Sequence, residues 1–298
     1  MKIQEIESFR KRFGCSLFIK RDDLIHEHVS GNKWWKLKYN IIEAQKGSYD
    51  TILTFGGAYS NHIAATAVAG RLAGIKTIGI IRGENNSNIT LDFAREQGMT
   101  LNFIDRDAYR NKNEKGFLDS LKEKFGKFYL IPEGGANMNG VKGCTEILYG
   151  LDINYNYLCC ACGTGTTLAG MMLSKKNDAK ALGFSALKGG EFLTYEVEKF
   201  LNEYIQQNPD AAFDNNMEII TRYHFGGYAK IKPELIDFMQ EFQLDTGIPL
   251  DYVYTGKMFY GIYDMASKEL FKPNDQILAI HTGGLQGNAG MESKFLLF

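Results

Sequence analysis

The chain has 298 residues, of which 44% are hydrophobic and 23% are charged, and its formal net charge is −1. This length exceeds the roughly 100–200 residues of one ordinary domain, so we expect two lobes with a cleft between them. The balanced charge provides no broad attraction to nucleic acid or to an anionic membrane, which favours a small-molecule partner.

The sequence lacks the usual marks of secretion or membrane insertion. The segment 1–14 contains several charged residues and has no apolar core of the kind that a signal peptide needs. No window approaches the ~18 apolar residues of a membrane span. The 5 cysteines are odd in number and clustered, unlike the even framework of a disulfide-bonded secreted domain. A reducing, cytoplasmic location is therefore expected.

Short β-rich runs alternate with helix-length segments along the chain. This alternation predicts βαβ units, largely parallel sheets and an α/β fold. No internal repeat or flexible linker divides the chain, so we expect any second domain to be inserted. The predicted strands are 51–55, 77–82, 101–105, 128–132, 157–161, 181–186 and 276–281. The predicted helices are 61–72, 88–97, 113–125, 139–149, 166–174, 190–206, 231–244 and 257–269.

Three glycine-rich turns follow predicted strands: GGAYSN (56–61), CGTGTT (162–167) and HTGG (281–284). In open α/β sheets, the carboxyl ends of the strands gather around one ligand crevice. We therefore expect these three turns to meet at a single site.

The turn CGTGTT joins an apolar strand to a predicted helix, so its backbone N–H groups point at an anion, most naturally a phosphate. A dinucleotide fingerprint and a P-loop both fit poorly, because Leu168 replaces the third glycine and no Gly-Lys-Ser/Thr follows. A tight βα turn without a ligand stays open as the alternative. The residues of this candidate cup are Cys162, Gly163, Thr164, Gly165, Thr166 and Thr167.

A lysine and a polar turn are further candidates. Lys33 follows a Gly-Asn turn near a helix start, and Lys36 lies one turn later, so desolvation and a nearby cation can activate the Lys33 amine. An ordinary solvated lysine is the alternative. Ser60, Asn61 and His62 converge at another helix start, where simple capping, or a core histidine, is the competing interpretation.

A metal site is not expected. Cys159, Cys160 and Cys162 lie on an apolar strand and lack the second Cys or His pair that zinc needs, so buried thiols are favoured.

Several motifs in order resemble one family of pyridoxal-phosphate enzymes. The resemblance extends along nearly the whole chain, and the family comprises D-cysteine desulfhydrase and 1-aminocyclopropane-1-carboxylate (ACC) deaminase. The motifs are KRDDL (20–24), SGNKWWKL (30–37), TFGGAYSNH (54–62), IPEGGAN (131–137), CGTGTTLAG (162–170), YTGKM (254–258) and HTGG (281–284).

The resemblance implies a role for each matched residue. Lys33 would form the Schiff base with pyridoxal phosphate, and the cup 162–167 together with Lys36 would bind its phosphate. Asn61 would bind the 3′-oxygen of the ring, and Thr255 and Thr282 are also assigned to the cofactor. Ser60, Tyr254, Tyr228 and His62 would contact the substrate.

The implied fold is the two-lobed, three-layer tryptophan-synthase-β-like type, known as fold type II. A small domain of residues 36–137 would be inserted into a large domain of residues 1–35 and 138–298. Homodimers are usual among such relatives, and we expect one here.

Position 255 bears on the reaction. ACC deaminases carry glutamate there, which can keep the ring nitrogen protonated, whereas this chain has Thr255. A hydroxyl cannot hold that charge, which favours β-elimination of sulfide from D-cysteine, since the departing thiolate takes the negative charge. His62 also resembles the desulfhydrase branch. ACC deamination, and a binding protein that retains the fold without turnover, stay as alternatives.

The chain departs from the family at three places. Trp35 and Ala64 occupy positions where the family often has arginine, and the segment after HTGG, LQGNAGMESKF (285–295), lacks the expected pattern of proline and aromatic residues. Contacts to substrate or phosphate, and the far wall of the pocket, are therefore expected to differ.

Overall fold

The computed structural model describes residues 2–85, 87–175, 178–209 and 213–291. Two sheets with helices packed on them account for most of this part of the chain. No helix within it is long and apolar enough to cross a membrane.

The smaller sheet has four parallel strands in the order β5-β4-β3-β6. Strand β3 is buried over nearly its whole length, as expected for a parallel strand covered by helices on both faces. The strands are β3 (Thr51–Gly57), β4 (Lys76–Arg82), β5 (Met99–Ile104) and β6 (Tyr129–Ile131), and the accompanying helices are α3 (Asn61–Ala73), α4 (Ile89–Glu96), α5 (Arg106–Arg110) and α6 (Lys115–Phe125).

The larger sheet has six strands in the order β1-β2-β10-β7-β8-β9, and only the β1–β2 pair is antiparallel. Its strands are β1 (Ile3–Glu5), β2 (Ser16–Lys20), β7 (Tyr157–Cys162), β8 (Lys180–Ser185), β9 (Met217–Ile220) and β10 (Gln276–Ile280). The remaining helices are α1 (Glu7–Phe13), α2 (Asn32–Lys46), α7 (Met138–Cys144), α8 (Thr166–Ser174), α9 (Phe192–Gln207), α10 (Pro233–Thr246) and α11 (Thr255–Ser267).

Helix α2 packs closely on α7, where the chain returns from the smaller sheet. A Cβ on Gly143 would lie 1.8 Å from the carbonyl oxygen of Trp35, so only glycine permits this approach. Further along α2, Asn40 Nδ2 donates to Asn137 Oδ1 at 3.1 Å, and Asn137 Nδ2 donates to Asn40 Oδ1 at 2.7 Å. These contacts fix the helix that carries Lys33 and Lys36.

The α/β class and every predicted strand are confirmed, with ends shifted by one or two residues. The predicted helix 139–149 is wrong at its end, because α7 stops at Cys144 and a 3-10 turn follows at Thr145–Leu148. The sequence analysis did not predict the strands β1, β2 and β9. The small sheet's strands lie between residues 51 and 131, but α2 crosses the proposed boundary at 35/36, so the domain limits stay a prediction.

Candidate active site

A cleft opens at the carboxyl ends of the strands in both sheets. It contains about 610 Å³ of space outside the protein atoms, part of it open to solvent. All three glycine-rich turns contribute to its walls. The residues that line it are Ser30, Asn32, Lys33, Lys36, Asn61, Gly134, Ala161, Cys162, Gly163, Thr164, Gly165, Thr167, Tyr254, Thr282, Gly283, Gly284 and Gln286.

The turn between β7 and α8 forms the predicted cup. Gly165 has φ 74°, in the left-handed region that favours glycine, and this conformation starts α8 without a side-chain cap. Within the described chain, the backbone N–H groups of residues 164–167 donate to no protein acceptor. The hydroxyls of Thr164 and Thr166 lie 3.0 Å apart beside them. Donors without acceptors at a helix N-terminus suit a phosphate.

Lys36 supplies a cation at this cup. Its side chain is buried, and its Nζ donates to the carbonyl oxygen of Gly134 at 3.2 Å and to Thr164 Oγ1 at 3.4 Å. Burial lowers the pKa of Lys36. Neither of its two hydrogen-bond partners is a carboxylate, and Lys36 makes no ion pair with any described residue. A buried ammonium without a carboxylate partner favours an anionic ligand beside it.

Lys33 faces the cleft from the first turn of α2. Burial, and after it the charge of Lys36, lowers the pKa of Lys33 from its ordinary value to about 7. Its Nζ donates to Asn32 Oδ1 at 3.1 Å, and Asn32 Nδ2 donates to Thr167 Oγ1 at 3.0 Å. A substantial fraction of this amine is therefore neutral at physiological pH, as a nucleophilic lysine requires.

The turn before α3 brings Asn61 to the cleft wall. Asn61 Oδ1 is buried without a hydrogen-bond partner among the described residues, which is costly unless a ligand satisfies it. Ser60 caps α3 by accepting from the N–H of Ile63 at 3.3 Å, so capping and a contact with substrate are compatible.

His62 is not brought to the cleft wall. Its side chain is buried, and its Nε2 lies 2.8 Å from the hydroxyl of Thr54, which donates to the carbonyl oxygen of Ile131. Burial, with the charges of Lys33 and Lys36, lowers the pKa of His62 well below its usual range. It is a neutral core histidine, and the expected contact with substrate has no support from its position.

Two tyrosines stand together, and one of them, Tyr254, lines the cleft. The rings of Tyr228 and Tyr254 meet edge to face with centroids 6.2 Å apart. Tyr254 lies against the cup, since a Cβ on Gly163 would approach its ring to 3.1 Å. Desolvation raises the pKa of both hydroxyls, so both stay protonated and can donate.

The two threonines assigned to the cofactor differ in position. Thr282 lines the cleft. The hydroxyl of Thr255 is fully buried, donating to Asp251 Oδ1 at 2.7 Å and accepting the N–H of Asp251 at 2.8 Å. The structure therefore gives the cofactor contact of Thr255 no support.

Cys162 contributes only its backbone to the cup. Its Sγ lies 3.8 Å from the Sγ of Cys160, on the side of β7 that faces Gly183. No group of metal-binding side chains occurs in the part of the chain that the structure describes.

Pyridoxal phosphate fits this arrangement. The cup and Lys36 match the phosphate, the partly neutral amine of Lys33 matches the aldehyde carbon, and the unpaired amide of Asn61 matches a polar group of the ring. The predicted residues Lys33, Lys36, Asn61 and Tyr254 thus share one cleft with the cup.

Sequence reasoning missed two residues that support this site, Asp251 and Lys257. Asp251 accepts from the N–H groups of residues 253–255 and so fixes the start of α11. Trp35, which sequence reasoning did single out, donates its Nε1–H to Asp22 at 2.8 Å and is not among the described residues that line the cleft. The expected difference in substrate or phosphate contacts therefore has no support at this position. For Asp251, the capping spacing before YTGKM was a usable signal.

Comparisons with known proteins agree with this geometry. The model of the family "Pyridoxal-phosphate dependent enzyme" matches residues 2–283. A Pyrococcus horikoshii protein, named as a proposed ACC deaminase, is 32% identical over 99% of this chain and 92% of its own length. The bifunctional D-cysteine desulfhydrase/ACC deaminase of Arabidopsis thaliana is 30% identical over 92% of this chain and 73% of its own.

Solved structures show the same relationship. An ACC deaminase homologue superposes with a TM-score of 0.88 at 29% identity, over 99% of this chain and 93% of its own. Serine racemase from Dictyostelium discoideum, at 14% identity and a TM-score of 0.66 over 95% of this chain and 92% of its own, shares the fold. The chain therefore belongs to the pyridoxal-phosphate-dependent enzymes of fold type II, in the group that contains the ACC deaminase and D-cysteine desulfhydrase relatives.

Proposed function

We propose that this enzyme eliminates sulfide from D-cysteine, giving pyruvate and ammonia. One observation carries the proposal: no aspartate or glutamate is among the described residues that line the cleft. The nearby Asp251 is saturated, since its two carboxylate oxygens accept four hydrogen bonds from residues 253–255. Among the described residues, no carboxylate is therefore available to hold a proton on the ring nitrogen of the cofactor.

That environment favours one class of reaction. When bound, pyridoxal phosphate withdraws electrons from the α-carbon of an amino acid, and strong withdrawal needs a protonated ring. β-Elimination demands less, because the C–S electron pair leaves with the sulfur. Opening an unactivated cyclopropane has no comparable leaving group. The hydroxyl of Thr282, on the cleft wall, is the neutral partner that we assign to the ring nitrogen.

The remaining roles follow from position and protonation. Lys33, whose pKa is about 7, is our choice for removing the α-proton near neutral pH. We assign the substrate carboxylate to Ser60, the N-cap residue of α3, and the ring oxygen to Asn61, the first residue of that helix. Tyr254 and Tyr228 keep their protons and can donate one to the departing thiolate. Loss of sulfide leaves aminoacrylate, which water converts to pyruvate and ammonia.

ACC deamination is the second candidate, and the names of the relatives favour it. It predicts α-ketobutyrate from ACC. A protein that binds the cofactor and an amino acid without turnover is a third candidate, which the intact Lys33, Asn61 and Tyr254 oppose. A homodimer stays a prediction.

The test is an absorbance spectrum of the purified protein with D-cysteine and then with ACC, while sulfide, pyruvate and α-ketobutyrate are assayed. We expect a visible cofactor band that Lys33→Ala abolishes, and sulfide and pyruvate from D-cysteine in equal amounts. Production of α-ketobutyrate without sulfide would replace the proposal with ACC deamination. A band with neither product would favour the binding protein, or another substrate.

A further inference from the structure

The loop that carries Tyr228 has an unfavourable backbone. Phe225 and Ala229 both have positive φ, at 53° and 52°, which side chains rarely adopt, and Gly226 and Gly227 between them have φ 100° and 125°. Such a loop keeps its shape only where the surroundings hold it. Tyr228 itself is 46% exposed, so its own burial does not supply that restraint.

Lys257 supplies the restraint from helix α11. Its side chain is 1% exposed, and its Nζ donates to the carbonyl oxygens of Gly227 at 2.7 Å and His224 at 2.9 Å. It also approaches the carbonyl oxygen of Ala186, at 3.4 Å, just after β8. One ammonium therefore connects the Tyr228 loop, the large sheet and α11.

The contact is unusual because the ammonium is held by carbonyl dipoles alone. Lys257 forms no ion pair with any carboxylate in the described ranges, and Asp251 is the acidic residue whose charge acts on it. Burying an ammonium is costly unless its donors are satisfied, and here three backbone oxygens surround it. Helix α11 begins two residues earlier, at Thr255, directly after Tyr254, so the same lysine links the two tyrosines.

We propose that Lys257 is a positioning residue, a tethered cation that holds the strained loop 224–229 so that Tyr228 stands beside Tyr254 at the cleft. The proposal rests on the role given to Tyr228 in the proposed function. It concerns the loop, however, and the order of the loop can be measured without any turnover.

The first experiment measures hydrogen–deuterium exchange of the holoenzyme by mass spectrometry. Lys257→Met keeps the length of the side chain and removes its charge and donors. Its control is Lys268→Met at the other end of the same helix, where the lysine pairs with Asp264 on the surface. We expect faster exchange confined to residues 222–230 in Lys257→Met, with an unchanged cofactor band, and no change in Lys268→Met. If Lys257→Met does not fold, Lys257→Gln, which keeps two donors, replaces it.

Unchanged exchange at 222–230 would overturn the proposal. Faster exchange throughout α8, α9 and the larger sheet would overturn it too, because it would make Lys257 a general stabilising residue.

The second experiment is a double-mutant cycle with Tyr228→Phe. We expect each single variant to lower kcat at least tenfold with little change in KM, and the double variant to be no slower than the worse single one. Multiplying effects would mean that Lys257 does not act through Tyr228. If no substrate is turned over, the proposed function fails while the exchange result still decides the role of Lys257.

Discussion

Lys36 lies one helical turn beyond Lys33 on α2, and its positive charge adds to burial in lowering the pKa of Lys33 to about 7. The two lysines therefore have different expected roles, one at the phosphate and one as the reactive amine. Lys36 meets the cup through Thr164, whereas Lys33 faces the open cleft. The cation that attracts a phosphate also keeps the neighbouring amine reactive.

Replacing Lys36 with methionine should raise the pKa of Lys33, because a like charge disfavours the protonated amine and its removal relieves that effect. The neutral fraction of Lys33 then appears at higher pH. We expect the pH midpoint for forming the visible cofactor band to move upward by roughly one unit. The measurement is a spectrophotometric titration with pyridoxal phosphate between pH 6 and 10. Lys38→Met, on the exposed face of the same helix, is the control, and equal midpoints in both variants would contradict the coupling.

Gly165→Ala should weaken cofactor binding more than backbone strain alone explains. Gly165 has φ 74°, and an added Cβ would also lie 2.9 Å from Val197 Cγ2, so either the cup or Val197 on α9 must shift. Gly74, at the end of α3, has φ 69° with open space around it. We expect Gly74→Ala to cost about 1–2 kcal/mol of unfolding free energy and no cofactor affinity. We expect Gly165→Ala to raise the Kd for pyridoxal phosphate at least tenfold, and equal Kd values would refute the role of the cup.

The elements that sequence reasoning found are those whose information is local. Strand β3 is an apolar run because both faces of the parallel sheet are covered, and its pattern needs no partner to be recognised. The strand β2, SLFIK, is short and mixed, and its pairing comes from β10, where Ser16 lies opposite Gln276. Such a strand is specified by its distant partner.

The same distinction applies to the site. Lys33, Asn61 and the cup occur in contiguous motifs, so their chemistry can be inferred from neighbours in sequence. The role of Lys257 depends on the carbonyl oxygens of His224 and Gly227, which lie 33 and 30 residues earlier in the chain. Every residue has a peptide carbonyl, so the sequence does not indicate which ones a lysine contacts. The family motif assigns Thr255 to the cofactor, but Asp251 competes for its hydroxyl.

Trp35→Phe should destabilise the protein without weakening cofactor binding. Trp35 donates to Asp22 at 2.8 Å, and the same carboxylate is ion-paired with the fully buried Lys20. Losing that donor leaves a buried carboxylate oxygen without its partner, which costs about 1–3 kcal/mol. Urea unfolding measures the loss. Trp34→Phe is the neighbouring control, since Trp34 is 37% exposed and stacks on His26. Equal losses from the two substitutions would show that the hydrogen bond to Asp22 contributes nothing.

Valine substitutions should separate the two threonines. Thr282→Val removes a hydroxyl from the cleft wall, and we expect kcat for sulfide release to fall at least tenfold while cofactor affinity changes little. Thr255→Val removes both hydrogen bonds to Asp251, so we expect a loss of about 1–3 kcal/mol of unfolding free energy. Activity per bound cofactor should stay near that of the unmodified enzyme. Steady-state kinetics normalised to the cofactor band, together with urea unfolding, check both. A large loss of kcat in Thr255→Val with none in Thr282→Val would reverse the assignment and return the ring nitrogen to Thr255.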